Sequence, residues 1–499
     1  MVRAAAVHLV GACLFFHALP LSGFYAPALA PSTLVARPTL SKAGLVGPTR
    51  ANVGSWSGVR TSKPAGALGL ECQAAGRSTG KSTGNRVCIV GGGFGGLFTA
   101  MKLANLAPLQ PEAGKAEITL IDPRDRFVFL PLLYELVTGE MRDWEVAPVF
   151  ADLLQGTGIR FVQGSALRID RDAREVEVAV APVAGGGSKV VEYDTLVLAS
   201  GAEQVLPAKN GAAAHALAFL RAEDARELRR RIAAARAERR TAGTRGKIVI
   251  VGGGYSGVEL ATSVARDNAD WADVTLLHRG ERILPSAQRF NRITAQQELQ
   301  RAGVKVRTLT SVLAVDPKSV TMAAVGDEAA EERLPADVVV WTAGSGASKL
   351  PTLGGFPTAP DGRVPVGPRL LVQGRSDTYA LGDVAECYDA LGARMAGTAQ
   401  VAIQQAECVA WNVHAGITGG VPVPFRYQDL GEAMTFGPGS SALASRLFGI
   451  QARPLPLEPP RGISTLPDRA AGRGLGDPLP EKCAGGGPAF PHTRSCSLA

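Results

Sequence analysis

Two stretches of this 499-residue chain are near copies: VCIVGGGFGGLFTA at 87–100 and IVIVGGGYSGVELA at 248–261. Each is a short β-branched run, a glycine cluster and a small-residue helix start. In such a strand–turn–helix unit the first glycine permits the tight turn and the second lets the backbone approach a pyrophosphate. The third lets helix and strand pack closely, and the helix N-terminus offers free N–H donors. The repeat predicts two phosphate cradles in one chain.

The first cradle comprises Gly91, Gly93 and Gly96, and the next strand-like run, AEITLIDPRDRFVF (116–129), ends its apolar part at Asp122. A carboxylate there can accept both ribose hydroxyls of an adenosine. The second comprises Gly252, Gly254 and Gly257, followed by DVTLLHRGERILP (273–285). Here His278 and Arg279 occupy the place where an NADH enzyme usually carries an acid. A guanidinium can pair with a 2′-phosphate that a carboxylate would repel, so NADPH is expected to be preferred to NADH, or at least to rival it. Two cradles imply two dinucleotides, FAD in one and a nicotinamide cofactor in the other, with hydride crossing between them. The fold class expected is α/β, with two Rossmann-like domains and the NAD(P) domain inserted into the FAD domain.

The length is too great for one hydrophobic core, and the net charge of +8 resides at the ends. Residues 1–85 carry eight basic residues against Glu71 alone, and residues 437–499 seven against four acids, which leaves 86–436 about two charges negative. A nucleic-acid partner is therefore not expected. The seven cysteines (13, 72, 88, 387, 408, 483 and 496) are scattered and make no disulfide framework.

The first 84 residues read as an address. VHLVGACLFFHALPL (7–21) suits the core of a signal peptide spanning 1–22. The following stretch to 84 is rich in Ser, Thr, Ala, Pro and basic residues, in the manner of a transit peptide. A two-part leader of this kind resembles those of algae whose plastids have extra membranes. A mitochondrial address, or a secreted protein with a propeptide, stays open.

Further segments extend the pattern. EYDTLVLASGAE (192–203), containing Gly201, and PADVVVWTAGSGAS (335–348) are strand-like runs that break at small residues, and SDTYALGDVAE (376–386) is a strand ending at Gly382-Asp383. AEDARELRRRIAAARAERR (222–240) reads as a solvated helix and PVAGGGSKVV (182–191) as a loop. The glycine motifs, VGGGYSGVELA among them, are shared by many flavoproteins. FLPLLYEL (129–136) and the AQVAIQQA of GTAQVAIQQAECVAWNVHAGI (397–417) are much more specific, and YALGDVAE and PFRYQDLGEAMTFG (424–437) accompany them. On them, residues 86–436 resemble the type II NAD(P)H:quinone oxidoreductases, most closely their plastid branch.

That resemblance implies a single-chain enzyme with non-covalent FAD and no metal, which reduces a membrane quinone of plastoquinone or naphthoquinone type without pumping protons. It implies a FAD domain over 85–203 and 344–436, and an NAD(P) domain over 204–343. By the same match Gly91, Gly93, Gly96, Asp122, Gly201, Gly382 and Asp383 hold FAD. Pro131, Leu132 and Tyr134 line the flavin ring, and Gly252, Gly254 and Gly257 cradle the nicotinamide cofactor. Glu259 lies near nicotinamide and flavin. Gln400 and Gln404, at i and i+4 on one helical face, face the flavin where quinone enters. A sulfide:quinone oxidoreductase, which needs two placed thiols, and a non-enzymatic redox sensor are the alternatives. Dimerisation stays open.

Relatives dock on the bilayer through an amphipathic C-terminal segment. SSALASRLFGIQ (440–451) opens with the small-residue and apolar pattern of such a helix, but the chain then turns rich in Pro and Gly. Residues 437–499 are accordingly expected to form a disordered tail that attaches poorly to membranes.

Overall fold

The five-residue strand β1 (Arg86–Val90) is apolar after Arg86 and buried on both faces from Val87 to Val90, as a central parallel strand requires. It leads into α1 (Phe94–Leu106), and β2 (Glu117–Asp122) then pairs parallel to β1. The computed structural model describes residues 85–106, 116–389, 392–445 and 449–452. The leader expected over 1–84 and most of the expected tail lie outside the described residues.

After β2 a 3₁₀ turn, Leu130–Leu132, passes into the short helix α2 (Leu133–Thr138), closed by Gly139 in the left-handed conformation. The strands β3 (Arg160–Asp170), β4 (Glu175–Val180), β5 (Ser188–Glu192) and β6 (Thr195–Leu198) complete this half. The stretch 182–191, expected as a loop, is a loop only at its start. From Ser188 it pairs antiparallel with β4, burying Val191 between exposed neighbours. The seven-stranded sheet runs from the strand Thr378–Ala380 through β6, β1, β2, β3 and β4 to β5. Its first five strands are parallel, and a strand from residue 378 lies beside one ending at 198. The second sheet lies in the sequence between those two neighbouring strands, as an insertion.

The insertion contains the helix α3 (Ala222–Ala242), whose ends are built for its dipole. Glu223 and Asp224 lie in the first turn, Arg239 and Arg240 in the last, and Gly243 caps it in the left-handed conformation. One face is not solvated: Ala222, Ala225, Leu228, Ile232 and Ala235 are buried. β7 (Gly246–Val251), α4 (Tyr255–Asp267), β8 (Ala272–Leu277), α5 (Arg289–Arg301), β9 (Lys305–Arg307) and β10 (Val338–Trp341) form the second unit. Its sheet, ordered β9-β8-β7-β10, is wholly parallel.

The helix α6 (Ala399–Thr418) packs on α1, with Thr398 as its N-cap. Beyond it lies an antiparallel sheet of β11 (Glu432–Thr435), β12 (Ser441–Ala444) and β13 (Gly449–Ala452). This corrects the expectation for residues 440–451, which read as the start of a helix in a tail beginning at 437. Gly437 and Gly439 turn the chain with φ of 91° and 70°, and burial then alternates, with Met434, Phe436, Ala442 and Ala444 inside. The alanines that suggest a helix are small residues on the inner face of a strand. Buried Glu298 of α5 pins the sheet, accepting from Ser440 Oγ (3.0 Å) and Gln451 Nε2 (2.9 Å) and pairing with Arg266 and Arg301. No described helix is long and apolar enough to cross a membrane.

Candidate functional site

The two glycine turns are the same object built twice. Gly91 and Gly252 donate their N–H to Ile121 O and Leu277 O, both at 2.8 Å, and have φ of 109° and 120°. A Cβ on Gly96 would stand 1.8 Å from Gly91 O, and one on Gly257 1.8 Å from Gly252 O. Both third glycines therefore lie inside the first helical turn, where helix and strand touch. A Cβ on Gly93 or Gly254 would meet nothing within 4 Å. Those two positions face open space, as a backbone that must approach a ligand should.

The cradles differ at the end of the second strand. Gly92 N–H donates to Asp122 Oδ2 (2.7 Å), whereas Gly253 N–H donates to His278 Nδ1 (3.2 Å). The imidazole thus takes the place of the carboxylate on this one backbone N–H. Arg279, beside it, is exposed. Buried Asp122 also accepts from Arg124, through its backbone N–H and Nε at 2.9 Å and Nη2 at 3.0 Å. Arg124 was not expected at the site, and its only signal in the sequence is a cation two residues past the strand.

FAD can be tested against the residues present. Ser200, whose backbone N lies against Gly91, has its Oγ buried with no hydrogen-bond partner, and Gly201 follows with φ of 67°. Asp383 stands in the 3₁₀ turn Gly382–Val384, and burial holds its carboxyl above the ordinary range against the pull of Arg363. A waiting hydroxyl, a waiting carboxyl and an open glycine turn fit a polyhydroxylated dinucleotide.

The two halves meet near α2. Leu132 and Tyr134 are buried, with Pro131 in the preceding turn. Thr435 Oγ1 is hydrogen-bonded to Tyr134 Oη (2.5 Å), and Thr435 N–H donates to Glu259 Oε1 (3.0 Å). Burial pushes the Glu259 carboxyl up to about 8, opposed by that N–H and reinforced by Glu432. Tyr134 is likewise held well above the ordinary phenol range by burial, then by Glu259.

Gln400 and Gln404 do share one face of α6, and both amides are engaged. Gln404 exchanges two bonds with the backbone of Gln428, its Nε2 donating to the carbonyl (2.8 Å) and its Oε1 accepting the N–H (2.9 Å). Gln400 Nε2 donates to Gly431 O (3.1 Å), while its Oε1 accepts from Leu430 N–H (3.3 Å) and Tyr427 Oη. The segment 427–431 is thereby strapped across them, and the atoms expected to meet a quinone carbonyl are occupied. Gln405, overlooked in the sequence, points the other way: it is buried, and its Oε1 accepts Gly382 N–H at 2.7 Å.

The pyridine nucleotide-disulphide oxidoreductase profile matches residues 85–406. Over 359 residues the chain is 38% identical to demethylphylloquinone reductase NdbB of Synechocystis, covering 72% of this chain and 86% of that protein. It is 36% identical to the alternative NAD(P)H-ubiquinone oxidoreductase C1, chloroplastic/mitochondrial, of Arabidopsis thaliana, covering 72% of each. The chain belongs to the type II NAD(P)H:quinone oxidoreductases. It is a flavoprotein that carries electrons from NAD(P)H to a quinone, with FAD as its bound cofactor. Among solved structures, NDH2 from Plasmodium falciparum in complex with NADH shares the fold with a TM-score of 0.65 at 17% identity, covering 74% of this chain and 91% of that one. The sulfide:quinone oxidoreductase of Aquifex aeolicus also shares it, with a TM-score of 0.59 at 20% identity, covering 74% of this chain and 86% of that one.

Proposed function

We propose that this enzyme draws hydride from NADPH and delivers two electrons to a plastoquinone- or naphthoquinone-type acceptor in a plastid. The observation that carries the reading is the contact of the two halves, where Thr435 joins Tyr134 of the first to Glu259 of the second. Relatives named for demethylphylloquinone and for a chloroplastic or mitochondrial ubiquinone activity support the quinone class and the compartment.

Bound FAD would supply the two-electron relay between nicotinamide and quinone. Gly93, Ser200 and Asp383 would hold its pyrophosphate and hydroxyl groups, Asp122 its ribose, and Pro131 to Tyr134 would wall its ring. Glu259 keeps a proton at neutral pH because burial raises its pKa, and Thr435 fixes Oε1. It thus adds no buried negative charge where hydride arrives. The strap over Gln400 and Gln404 would be displaced, or reshaped, when a quinone carbonyl reaches those amides.

Sulfide chemistry has less support. Burial pushes Cys88 up to about 12 and Cys408 up to about 11 and also raises Cys387, so the described thiols stay protonated, whereas the thiolate is the nucleophile.

The dinucleotide choice follows from His278. An aspartate there would accept ribose hydroxyls and repel a 2′-phosphate, while imidazole and Arg279 accept one. A charge-assisted pair contributes on the order of 1.5–3 kcal/mol, or roughly 10–100-fold. The wild-type ratio of kcat/KM for NADPH over NADH should exceed one, and His278→Asp with Arg279→Glu should invert it. A wild-type preference for NADH would refute this choice.

A further inference from the structure

The inference rests on the reading of Asp383 as a FAD contact and concerns what holds that residue in place. Among the three glutamines of α6, Gln405 alone turns inward. Counting from Gln400 in steps of four reaches Gln404 and the strap, whereas Gln405 shares a face with buried Val401, Cys408 and Asn412. It is 1% exposed, so its amide must be satisfied within the protein.

Its oxygen accepts the N–H of Gly382 at 2.7 Å, and the side chain also hydrogen-bonds Cys387. Gly382 is in the left-handed conformation, φ 72°, and opens the 3₁₀ turn that presents Asp383. The first N–H groups of such a turn have no partner within it, and a free donor here would compete for the carboxylate or for the ligand. Gln405 takes that donor out of the site. Gly397, just before α6, lies so close that a Cβ there would stand 2.6 Å from Asp383 Oδ1. The carboxyl thus lies against Gly397 while the turn that carries it is held by the helix through Gln405. No hydrogen bond within the described protein uses the Asp383 carboxyl, so its direction comes from this frame.

We propose that Gln405 is a positioning residue for FAD, fixing the Gly382–Asp383 turn so that the Asp383 carboxyl faces the cofactor. It touches neither flavin nor quinone and acts through the turn. This role differs from that of Gln400 and Gln404, which hold the strap.

The test is FAD affinity, measured by fluorescence titration of full-length apoprotein. NADP⁺ affinity of the second cradle serves as the control for folding. Gln405→Met, which keeps the bulk and removes the acceptor, should weaken FAD at least tenfold and leave NADP⁺ affinity within twofold. Gln405→Glu, which keeps an acceptor for Gly382 N–H, should recover most of the loss. In an Asp383→Ala background Gln405→Met should add little, because the group it positions is gone. The proposal is overturned if Gln405→Met leaves FAD affinity unchanged, or weakens FAD and NADP⁺ alike. An equal further loss in the Asp383→Ala background also overturns it, since Gln405 would then act elsewhere. If Asp383→Ala itself leaves FAD as tight as before, the Asp383 contact fails, and the positioning role falls with it.

Discussion

At Gly93 and Gly96 one glycine motif separates two kinds of requirement. A side chain at Gly93 meets no protein atom within 4 Å, whereas one at Gly96 meets Gly91 O at 1.8 Å. Gly93→Val should therefore leave the apoprotein's Tm nearly unchanged and abolish flavin binding. Gly96→Ala should cost about 1–3 kcal/mol or more through overpacking. Calorimetry of both apoproteins, with flavin content read from the visible spectrum, checks the contrast; full flavin retention in Gly93→Val would remove the first cradle's assignment. Glu259 makes a second residue-scale prediction. Its carboxyl titrates near 8 in the folded protein, against about 4.3 in an unfolded chain. Between those values the folded state holds a proton that the unfolded state has lost. Its contribution is thus fully present below about pH 4 and is lost as pH rises to about 8. Tyr134, Tyr255 and Glu432 interact electrostatically with it, and Glu432 opposes its ionisation. Glu259→Gln should flatten the fall in stability between about pH 5 and 8, as followed by denaturant unfolding, and an unchanged slope would contradict the buried protonated carboxyl.

At the scale of elements, the proposed quinone side rests on α6 and the strap it holds. Gln404 holds Gln428 by two backbone bonds. Gln404→Leu removes both and should slow flavin reoxidation by quinone roughly tenfold, the equivalent of about 1–1.5 kcal/mol. Flavin reduction by NADPH should stay within about twofold, because Glu259 and the second cradle do not depend on that amide. Stopped-flow spectroscopy separates the steps, and equal losses would give Gln404 a general structural role. The sequence made these elements legible to different degrees. Both cradles, Asp122 and the strand leading to Gly382 were readable, because each requirement is local: a turn, a strand end, a helix start. Gln405 was not, because a pair chosen by i, i+4 spacing says nothing of the inward face one residue on. Residues 441–444 were misread because alanine favours a helix locally, while pairing with β11 and burial beside Glu298 are decided by residues far away in the chain.

At the scale of the whole molecule, the second sheet is an insertion between two neighbouring strands of the first, so folding the outer domain brings both ends of the inner one together. Thr435 then ties the halves at one point, through Tyr134 and Glu259. A redox sensor could use the same two cradles, and what distinguishes an enzyme is that electrons leave. The most direct measurement is an anaerobic cycle on the FAD-loaded protein, with the visible flavin absorbance followed through both additions. NADPH should bleach the flavin in proportion to the hydride added, and a short-chain naphthoquinone or plastoquinone analogue should then restore the oxidised spectrum and yield one quinol per NADPH consumed. A flavin that NADPH does not bleach, or one that stays reduced when quinone is added, would contradict the account.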